Sequence, residues 1–218
     1  MTPILWMLSG GIFLSAALTI AAQYRHAKRL EYVAKPLTTA LIVALALGHG
    51  RGVPSLYAYQ TWIVLGLLAS LVGDVCLMLE GERWFVRGLT AFLVAHLFYI
   101  AAFTVARDGE TVPWYYALPF LAYGALMLRI LWPHLGELRP AVSAYLAVIM
   151  VMAWQAATRW IAVQGAGGSS WALAGAYLFV LSDSVLAVAR FRGEWRSARF
   201  WVLSTYFAAQ WLLAFSVG

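Results

Sequence analysis

Residues 57–79 read YAYQTWIVLGLLASLVGDVCLML, an apolar run with a single charged residue, Asp74. About 20 apolar residues in a helix cross the roughly 30 Å of hydrocarbon in a bilayer. Backbone groups in lipid must find hydrogen-bond partners within their own segment, and a helix provides them. The run therefore predicts a transmembrane helix that carries a carboxyl group into the membrane.

Seven further apolar runs flank this one, and brief polar connections join them. They are residues 3–22, 33–48, 84–106, 113–132, 140–158, 170–189 and 198–217. No soluble domain fits between the runs, and the alternation of barrel strands is absent. The sequence predicts an all-α integral membrane protein, with eight transmembrane helices in a single multi-pass domain over residues 1–218.

The composition agrees with lipid as the solvent for much of the surface. The 218 residues are 63% hydrophobic and 11% charged, with a mean hydropathy of +0.79, whereas a soluble domain carries about 25% charged residues. The net charge is +6, but the basic residues stand in short loops between apolar runs, which is typical of membrane topology and argues against nucleic-acid binding. Cys76 is the one cysteine, which excludes an internal disulfide.

Basic residues are distributed unequally between the two sides. The connections after the first, third, fifth and seventh runs, with the adjoining helix ends, hold twelve: Arg25, Lys28, Arg29, Lys35, Arg83, Arg87, Arg129, Arg139, Arg190, Arg192, Arg196 and Arg199. The other side holds three, Arg51, Arg107 and Arg159. Because cytoplasmic loops carry the excess of Lys and Arg, we expect both termini on the non-cytoplasmic side. The expected location is the bacterial plasma (inner) membrane.

A weak repeat relates the two halves of the chain. Lys35-Pro36 and Arg139-Pro140 are 104 residues apart, and the segments around Asp74 and Asp183 are 109 residues apart. Four helices per half would give both copies the same orientation, so a parallel 4+4 duplication is one interpretation. Chance similarity between apolar segments is the other.

Ionisable side chains inside the runs are few, and such groups usually face a cavity or a partner. They are Asp74, His96 and Asp183, with the uncharged companions Tyr99, Tyr145, Gln155, Ser182, Ser184, Thr205, Tyr206 and Gln210. At 1.5 Å per residue, Asp74 and Asp183 lie roughly 7–9 Å inside the cytoplasmic end and His96 roughly 18 Å inside it. The two aspartates lie at similar depths in the cytoplasmic half, which predicts a polar pocket open to the inner leaflet.

Cations stand at the rim of this expected pocket, where a phospholipid head group would lie. They are Lys35, Arg139 and Arg190. Each polar group also has a structural interpretation: paired carboxylates, a hydrogen-bonded core histidine, or tyrosines and glutamines that join helices. The three other histidines belong to loops or helix ends on both sides, so the sequence predicts neither a three-histidine metal site nor a cofactor.

Five short motifs occur in order along the chain. They are Lys35-Pro36, Gly73-Asp74-x-x-Leu77, Phe85-x-x-Gly88-x-x-x-Phe92-x-x-x-His96-x-x-Tyr99, Ser182-Asp183-Ser184-x-Leu186-Ala187 and Thr205-Tyr206-x-x-Ala209-Gln210. Together they resemble the lysoplasmalogenase family of multi-pass membrane proteins, also called the YhhN or TMEM86 family. The resemblance implies hydrolysis of the vinyl ether bond of lysoplasmalogens to a fatty aldehyde and glycerophospho-ethanolamine or -choline. The expected partners are therefore a lysophospholipid substrate and membrane lipids.

Vinyl ether hydrolysis suits two carboxyl groups. One protonates the β-carbon, and the other stabilises the resulting oxocarbenium ion and activates water. We hypothesise that Asp74 and Asp183 form this pair. The supporting residues under this hypothesis are His96, Tyr206 and Gln210 for orientation, and Lys35, Arg139 and Arg190 for the phosphate.

Two other functions stay open on the residues alone. A small proton-coupled or lipid transporter would also use carboxylates within the membrane and paired halves. It requires a polar path to the outer side, where ionisable groups are few. A non-catalytic lysolipid-binding membrane protein would have the same pocket without turnover. The sequence does not determine the oligomeric state.

Overall fold

A computed structural model describes residues 3–49, 54–107, 109 and 111–218. Within these ranges the chain forms eight α-helices and no strand, which confirms the predicted all-α class. They are α1 (Pro3–Tyr24), α2 (Lys28–His49), α3 (Pro54–Met78), α4 (Glu82–Val105), α5 (Leu118–Leu131), α6 (Arg139–Ala162), α7 (Ser169–Arg192) and α8 (Ala198–Phe215). Arg51, assigned above to the outer side, lies outside the described residues.

Seven segments of the described ranges are long and apolar enough to cross a membrane, and they correspond to α1 to α7, with α5 counted together with the 3-10 turns that flank it. The eighth helix, α8, has 18 residues and is not among these segments; its polar residues are Arg199, Ser204, Thr205, Tyr206 and Gln210. More than half of its residues are buried, Gln210 fully. Thr205, Tyr206 and Gln210 therefore lie inside the bundle, where they have protein partners instead of lipid.

Two helices differ from the predicted runs. α2 begins at Lys28, five residues before its apolar run, and continues through Pro36. Charged residues at a membrane surface remain helical although they are too polar for the apolar run, so the run marks the hydrocarbon segment and not the helix end. The fifth run forms a 3-10 turn at Trp114–Ala117 before α5, which has only 14 residues.

The helices pack with α8 at the centre and α5 at the edge. α8 contacts α1, α2, α3 and α7, and α3 packs closely against α4. α5 packs against α6 and α7, and its buried residues are Gly124, Met127 and Leu131. The close approach of α3 and α4 depends on glycine: a Cβ at Gly66 would lie 2.2 Å from Tyr99 Cε1, and one at Gly73 would lie 2.6 Å from Phe92 Cε2. Small residues let membrane helices approach in this way.

The connections after α1, α3 and α7 meet at one end of the bundle, which we call the basic end. Lys28 Nζ lies 2.5 Å from Glu80 Oε1, joining the α1–α2 and α3–α4 connections. Tyr24 donates a hydrogen bond of 3.0 Å to the backbone oxygen of Arg196 in the α7–α8 connection. The predicted cytoplasmic clustering of these connections is thus reproduced as a common end of the fold.

Candidate active site

Asp74 on α3 lies in a buried ion pair. Its Oδ1 is 3.3 Å from Lys35 Nζ, and both side chains are nearly inaccessible, at 1% and 8% exposure. Its Oδ2 accepts hydrogen bonds from Thr39 Oγ1 at 2.6 Å and from Tyr206 OH at 2.7 Å. Lys35 and Thr39 are four residues apart on α2, so they approach Asp74 from one helix face. The two hydrogen bonds to Oδ2 offset part of the cost of burying this pair, whereas Oδ1 is stabilised by Lys35 alone among the described residues.

A chain of hydrogen bonds continues from this ion pair towards α4. Tyr206 OH accepts a bond of 3.2 Å from Gln210 Nε2, one helical turn away on α8. Tyr99 OH donates to Gln210 Oε1 at 2.7 Å, and Ser70 Oγ lies 3.5 Å from Tyr99 OH. The chain joins α2, α3, α4 and α8, so Asp74 belongs to a rigid polar network between four helices.

Asp183 on α7 belongs to a different cluster. Its Oδ2 accepts a short hydrogen bond from Tyr145 OH on α6. The next residue, Ser184, donates to the backbone oxygen of Val180 at 2.7 Å, so Tyr123 OH is the donor in its 2.8 Å bond to Ser184 Oγ. Asp183 is partly accessible, whereas Asp74 is almost wholly buried.

Asp183 lines an apolar cavity between α4, α5, α6 and α7, which we call the Asp183 cavity. Its volume is about 60 Å³, well below the range of about 300–1,000 Å³ for small-molecule sites. Its walls are mostly aliphatic and aromatic side chains, including Leu89, Phe92 and Met127. The polar residues in its lining are Tyr145, Asp183, Ser184 and Arg190. The cavity thus surrounds one carboxyl group with apolar side chains, and a hydrocarbon chain enters it only when these side chains move apart.

A polar cleft of about 590 Å³ opens at the basic end beside the Asp183 cavity. Its charged and amide residues are Gln23, Glu31, Lys35, Arg190, Glu194 and Arg199. Arg199 hydrogen-bonds Glu194 through Nε at 2.5 Å, and this bond lowers the pKa of Glu194. The cleft and the cavity share Leu77, Leu186 and Arg190 in their linings. A charged entrance thus leads directly to an apolar interior.

The two carboxyl groups do not meet in the described structure. The hydrogen bonds of Asp74 come from α2 and α8 and that of Asp183 from α6. Aromatic rings stand between the clusters: Phe92 lines the Asp183 cavity, and its ring centroid is 5.7 Å from that of Tyr206. Of the two carboxyl groups, only that of Asp183 lines the cavity. Asp74 does not line the cleft, but its ion-pair partner Lys35 does.

His96 is fully buried between the two clusters. Its ring centroid is 4.7 Å from that of Phe179 and 5.4 Å from that of Tyr145. Neither ring nitrogen has a well-formed hydrogen bond to a described residue. Among the described residues there is also no group of three His, Cys, Asp or Glu side chains that could hold a metal ion.

The remaining sequence candidates lie at different places. Arg190 lines both cavity and cleft, but Arg139 stacks its guanidinium over Trp132, 4.9 Å from the ring centroid, and lines neither. Ser182 donates to the backbone oxygen of Val202 at 3.0 Å, joining α7 to α8. Thr205 donates within its own helix, to Trp201. These two hydroxyls therefore have structural bonds.

Sequence reasoning missed Thr39 and Tyr123. Thr39 donates directly to Asp74, and its signal was its position one helical turn after Lys35. Tyr123 reaches Ser184 from α5, the edge helix. A tyrosine within an apolar run has no charge to single it out, so only packing reveals its partner.

At the end of the bundle opposite the basic end, Arg159 of α6 is buried within a network of hydrogen bonds. This arginine is 2% exposed. It donates to Tyr59 OH at 2.9 Å and to the backbone oxygen of Gly167 at 2.6 Å, and Tyr59 OH is 2.6 Å from Ser216 Oγ. The bonds tie α3, α6, the α6–α7 connection and the chain end after α8 together.

Comparisons with known proteins agree on one family. Residues 30–217 match the YhhN family. The chain is 31% identical over 208 residues to an uncharacterized membrane protein, YhhN, of Escherichia coli, covering 94% of this chain and 96% of the relative. It is 33% identical over 181 residues to lysoplasmalogenase TMEM86A of Homo sapiens, covering 78% and 70%. It is 38% identical over 158 residues to lysoplasmalogenase TMEM86B of Mus musculus, covering 72% and 64%. No solved structure matches the chain.

Proposed function

The chain belongs to the YhhN family of integral membrane proteins, and from this premise we propose that it hydrolyses the vinyl ether bond of lysoplasmalogens. The products are a fatty aldehyde and glycerophospho-ethanolamine or -choline. One observation carries the proposal: a charged cleft at the basic end leads into an apolar cavity that contains a carboxyl group. A lysophospholipid has the same order of parts, a charged head group followed by a hydrocarbon chain.

In this proposal the head group lies in the polar cleft. Lys35 and Arg190 line that cleft and supply positive charge for the phosphate. The hydrocarbon chain lies in the Asp183 cavity, where apolar walls remove it from water. The vinyl ether joins the head group to the chain, so it lies near the shared lining at Leu77, Leu186 and Arg190, within reach of Asp183.

Asp183 is the proposed general acid. Its carboxyl proton goes to the β-carbon of the vinyl ether, where the π electrons of the C=C bond form the new C–H bond. The positive charge that results is shared by the α-carbon and the ether oxygen, as an oxocarbenium ion. Water adds to the α-carbon and returns a proton to the Asp183 carboxylate. The hemiacetal then breaks its bond to the glycerol oxygen, which takes up the hydroxyl proton as the aldehyde C=O forms. Tyr145 orients the carboxyl through its hydrogen bond.

Asp74 acts through Lys35 in this scheme and is a positioning residue. It is buried behind Lys35 and does not line the Asp183 cavity. The ion pair and the bonds from Thr39 and Tyr206 hold the ammonium group where the phosphate enters. Loss of Asp74 is therefore expected to weaken substrate binding more than it slows the chemical step.

The test is aldehyde release by purified, detergent-solubilised protein given a lysoplasmalogen, beside the matching ester lysophospholipid. Asp183→Asn should lower kcat by about 100-fold or more, as loss of a general acid does. Asp74→Asn should chiefly raise KM. Glu80→Gln, at an exposed carboxylate of the basic end, is the matched control and should leave both constants unchanged. Full activity of Asp183→Asn in folded protein would refute the assignment.

The alternative functions predict different outcomes. A transporter needs a path through the opposite end, where the buried Arg159 joins α6 to α3 and to the α6–α7 connection. A non-catalytic lysolipid-binding protein would bind lysoplasmalogen and release no aldehyde. Binding without aldehyde from well-folded protein would therefore favour that second alternative.

The proposal includes eight membrane crossings, with α8 among them and the basic end in the cytoplasm. The twelve basic residues at that end support this orientation. The site would then open to the cytoplasmic leaflet of a bacterial plasma membrane. A parallel 4+4 duplication, with Asp74 and Asp183 at corresponding positions, remains part of the proposal on the sequence offsets alone.

A further inference from the structure

An apolar groove runs along the outside of the bundle between α5 and α6. Its volume is about 250 Å³, and it is lined by residues of the 3-10 turn, α5 and α6. Its flanks include Leu121 and Val151, which are 61% and 38% exposed. The groove therefore opens sideways, towards the hydrocarbon of the surrounding bilayer. The mechanism above does not use it.

Two side chains separate this groove from the Asp183 cavity. Leu146 and Met150 appear in the lining of both. They are one helical turn apart on α6, so together they form a single partition. Met150 is unbranched and flexible, which allows it to move aside at low cost.

The partition can open because α5 is weakly held. α5 lies at the edge of the bundle, and its Gly124 faces Met150: a Cβ at position 124 would lie 3.0 Å from Met150 Cγ. Because Gly124 has no side chain, Met150 can occupy this space. Few of the other residues of α5 are buried, so a small displacement of α5 costs little packing.

We propose that the α5–α6 groove binds the far end of the substrate's hydrocarbon chain, which passes Met150 on its way from Asp183. This rests on the proposed function. The distance along α6 from Tyr145, which holds Asp183, to Trp154 at the far end of the groove is about 14 Å. One leaflet accounts for half of the roughly 30 Å hydrocarbon thickness, so a membrane lipid chain extends about 15 Å. The cavity and the groove together are therefore about as long as one such chain. In this proposal the aldehyde product leaves sideways into the bilayer.

Ala147→Phe tests the groove without disturbing the core. Ala147 lines the groove and is exposed to lipid, so a phenyl ring there fills the groove and displaces no buried side chain. Ala144→Phe is the matched control, because Ala144 is also exposed on α6 but lines neither groove nor cavity. Each variant is assayed for aldehyde release with a short-chain and a long-chain lysoplasmalogen in detergent.

Ala147→Phe should lower kcat/KM for the long chain by about tenfold or more, since each methylene excluded from an apolar site weakens binding by about fourfold. The short chain, which ends inside the Asp183 cavity, should keep its kcat/KM within about twofold, and Ala144→Phe should change neither value. Equal effects of Ala147→Phe on both chains, or none on either, would overturn the groove proposal while the hydrolase stands. No turnover of either chain by the unsubstituted protein would overturn the hydrolase, and the groove proposal with it.

Discussion

At the scale of single residues, the ion pair between Lys35 and Asp74 shows how charge is kept inside the membrane. Two charges 3.3 Å apart are removed from water, and Thr39 and Tyr206 both donate hydrogen bonds to Oδ2 of the carboxylate. A buried pair of this kind contributes little net stability, but removing one partner leaves an uncompensated charge. Because the pair contributes little net stability, we attribute its position beside the cleft to a role in substrate binding.

Lys35→Met should therefore destabilise the protein by about 3–5 kcal/mol, because Asp74 then lacks its counter-ion. The double variant Lys35→Met, Asp74→Asn should recover most of that loss without recovering substrate affinity. Thermal unfolding in detergent, followed by tryptophan fluorescence, measures the first effect and KM the second. Lys28→Met is the control, since its pair with Glu80 is exposed and should leave the unfolding temperature unchanged. Equal unfolding temperatures for Lys35→Met and Lys28→Met would contradict this account.

At the scale of helices, the α3–α4 contact links packing to the polar network. Gly66 and Gly73 allow Tyr99 and Phe92 to lie against the backbone of α3. Tyr99 then donates to Gln210, which in turn donates to Tyr206. A change at Gly66 is thus transmitted to Asp74 through three hydrogen bonds.

Gly66→Ala should destabilise the bundle by about 1–3 kcal/mol, because the new methyl group overlaps the Tyr99 ring. Gly10→Ala on α1 is the matched control: no atom lies within 4 Å of its added Cβ, and alanine is the better helix former. Unfolding temperatures of the two purified variants decide the matter. A Gly66→Ala protein as stable as Gly10→Ala would show that the α3–α4 spacing is not fixed by this contact.

At the scale of the whole molecule, the two ends of the bundle have different characters. The basic end holds the charged cleft, whereas at the opposite end the buried Arg159 joins α6 to α3 and to the α6–α7 connection. This asymmetry suits a site that receives its substrate from one leaflet. It also gives the orientation proposal a direct test.

Single cysteines in a Cys76→Ser background should report the orientation in intact bacterial cells. Arg196→Cys, exposed at the basic end, should react with a membrane-impermeant maleimide only after permeabilisation. Ala166→Cys, exposed in the α6–α7 connection, should react in intact cells. The reverse pattern would place the cleft in the outer leaflet.

The sequence by itself determined the class and the number of helices. Hydrocarbon imposes a minimum length and internal hydrogen bonding on each run, so the eight apolar runs correspond to the eight helices of the described structure. It also predicted that Asp74, Tyr206 and Gln210 lie in one polar region, with Lys35 at its rim. The predicted depths follow from the rise per residue alone.

The tertiary structure alone decided which polar groups meet. Asp74 and Asp183 have similar depths, yet one is closed within an ion pair and the other lines an apolar cavity. Arg139 has the depth of the rim but stacks on Trp132 instead of lining the cleft. The reason is rotation: the direction in which a side chain points depends on how each helix turns about its axis against its neighbours. That turn is set by packing, such as the glycine contacts of α3, and packing is not a property of one segment.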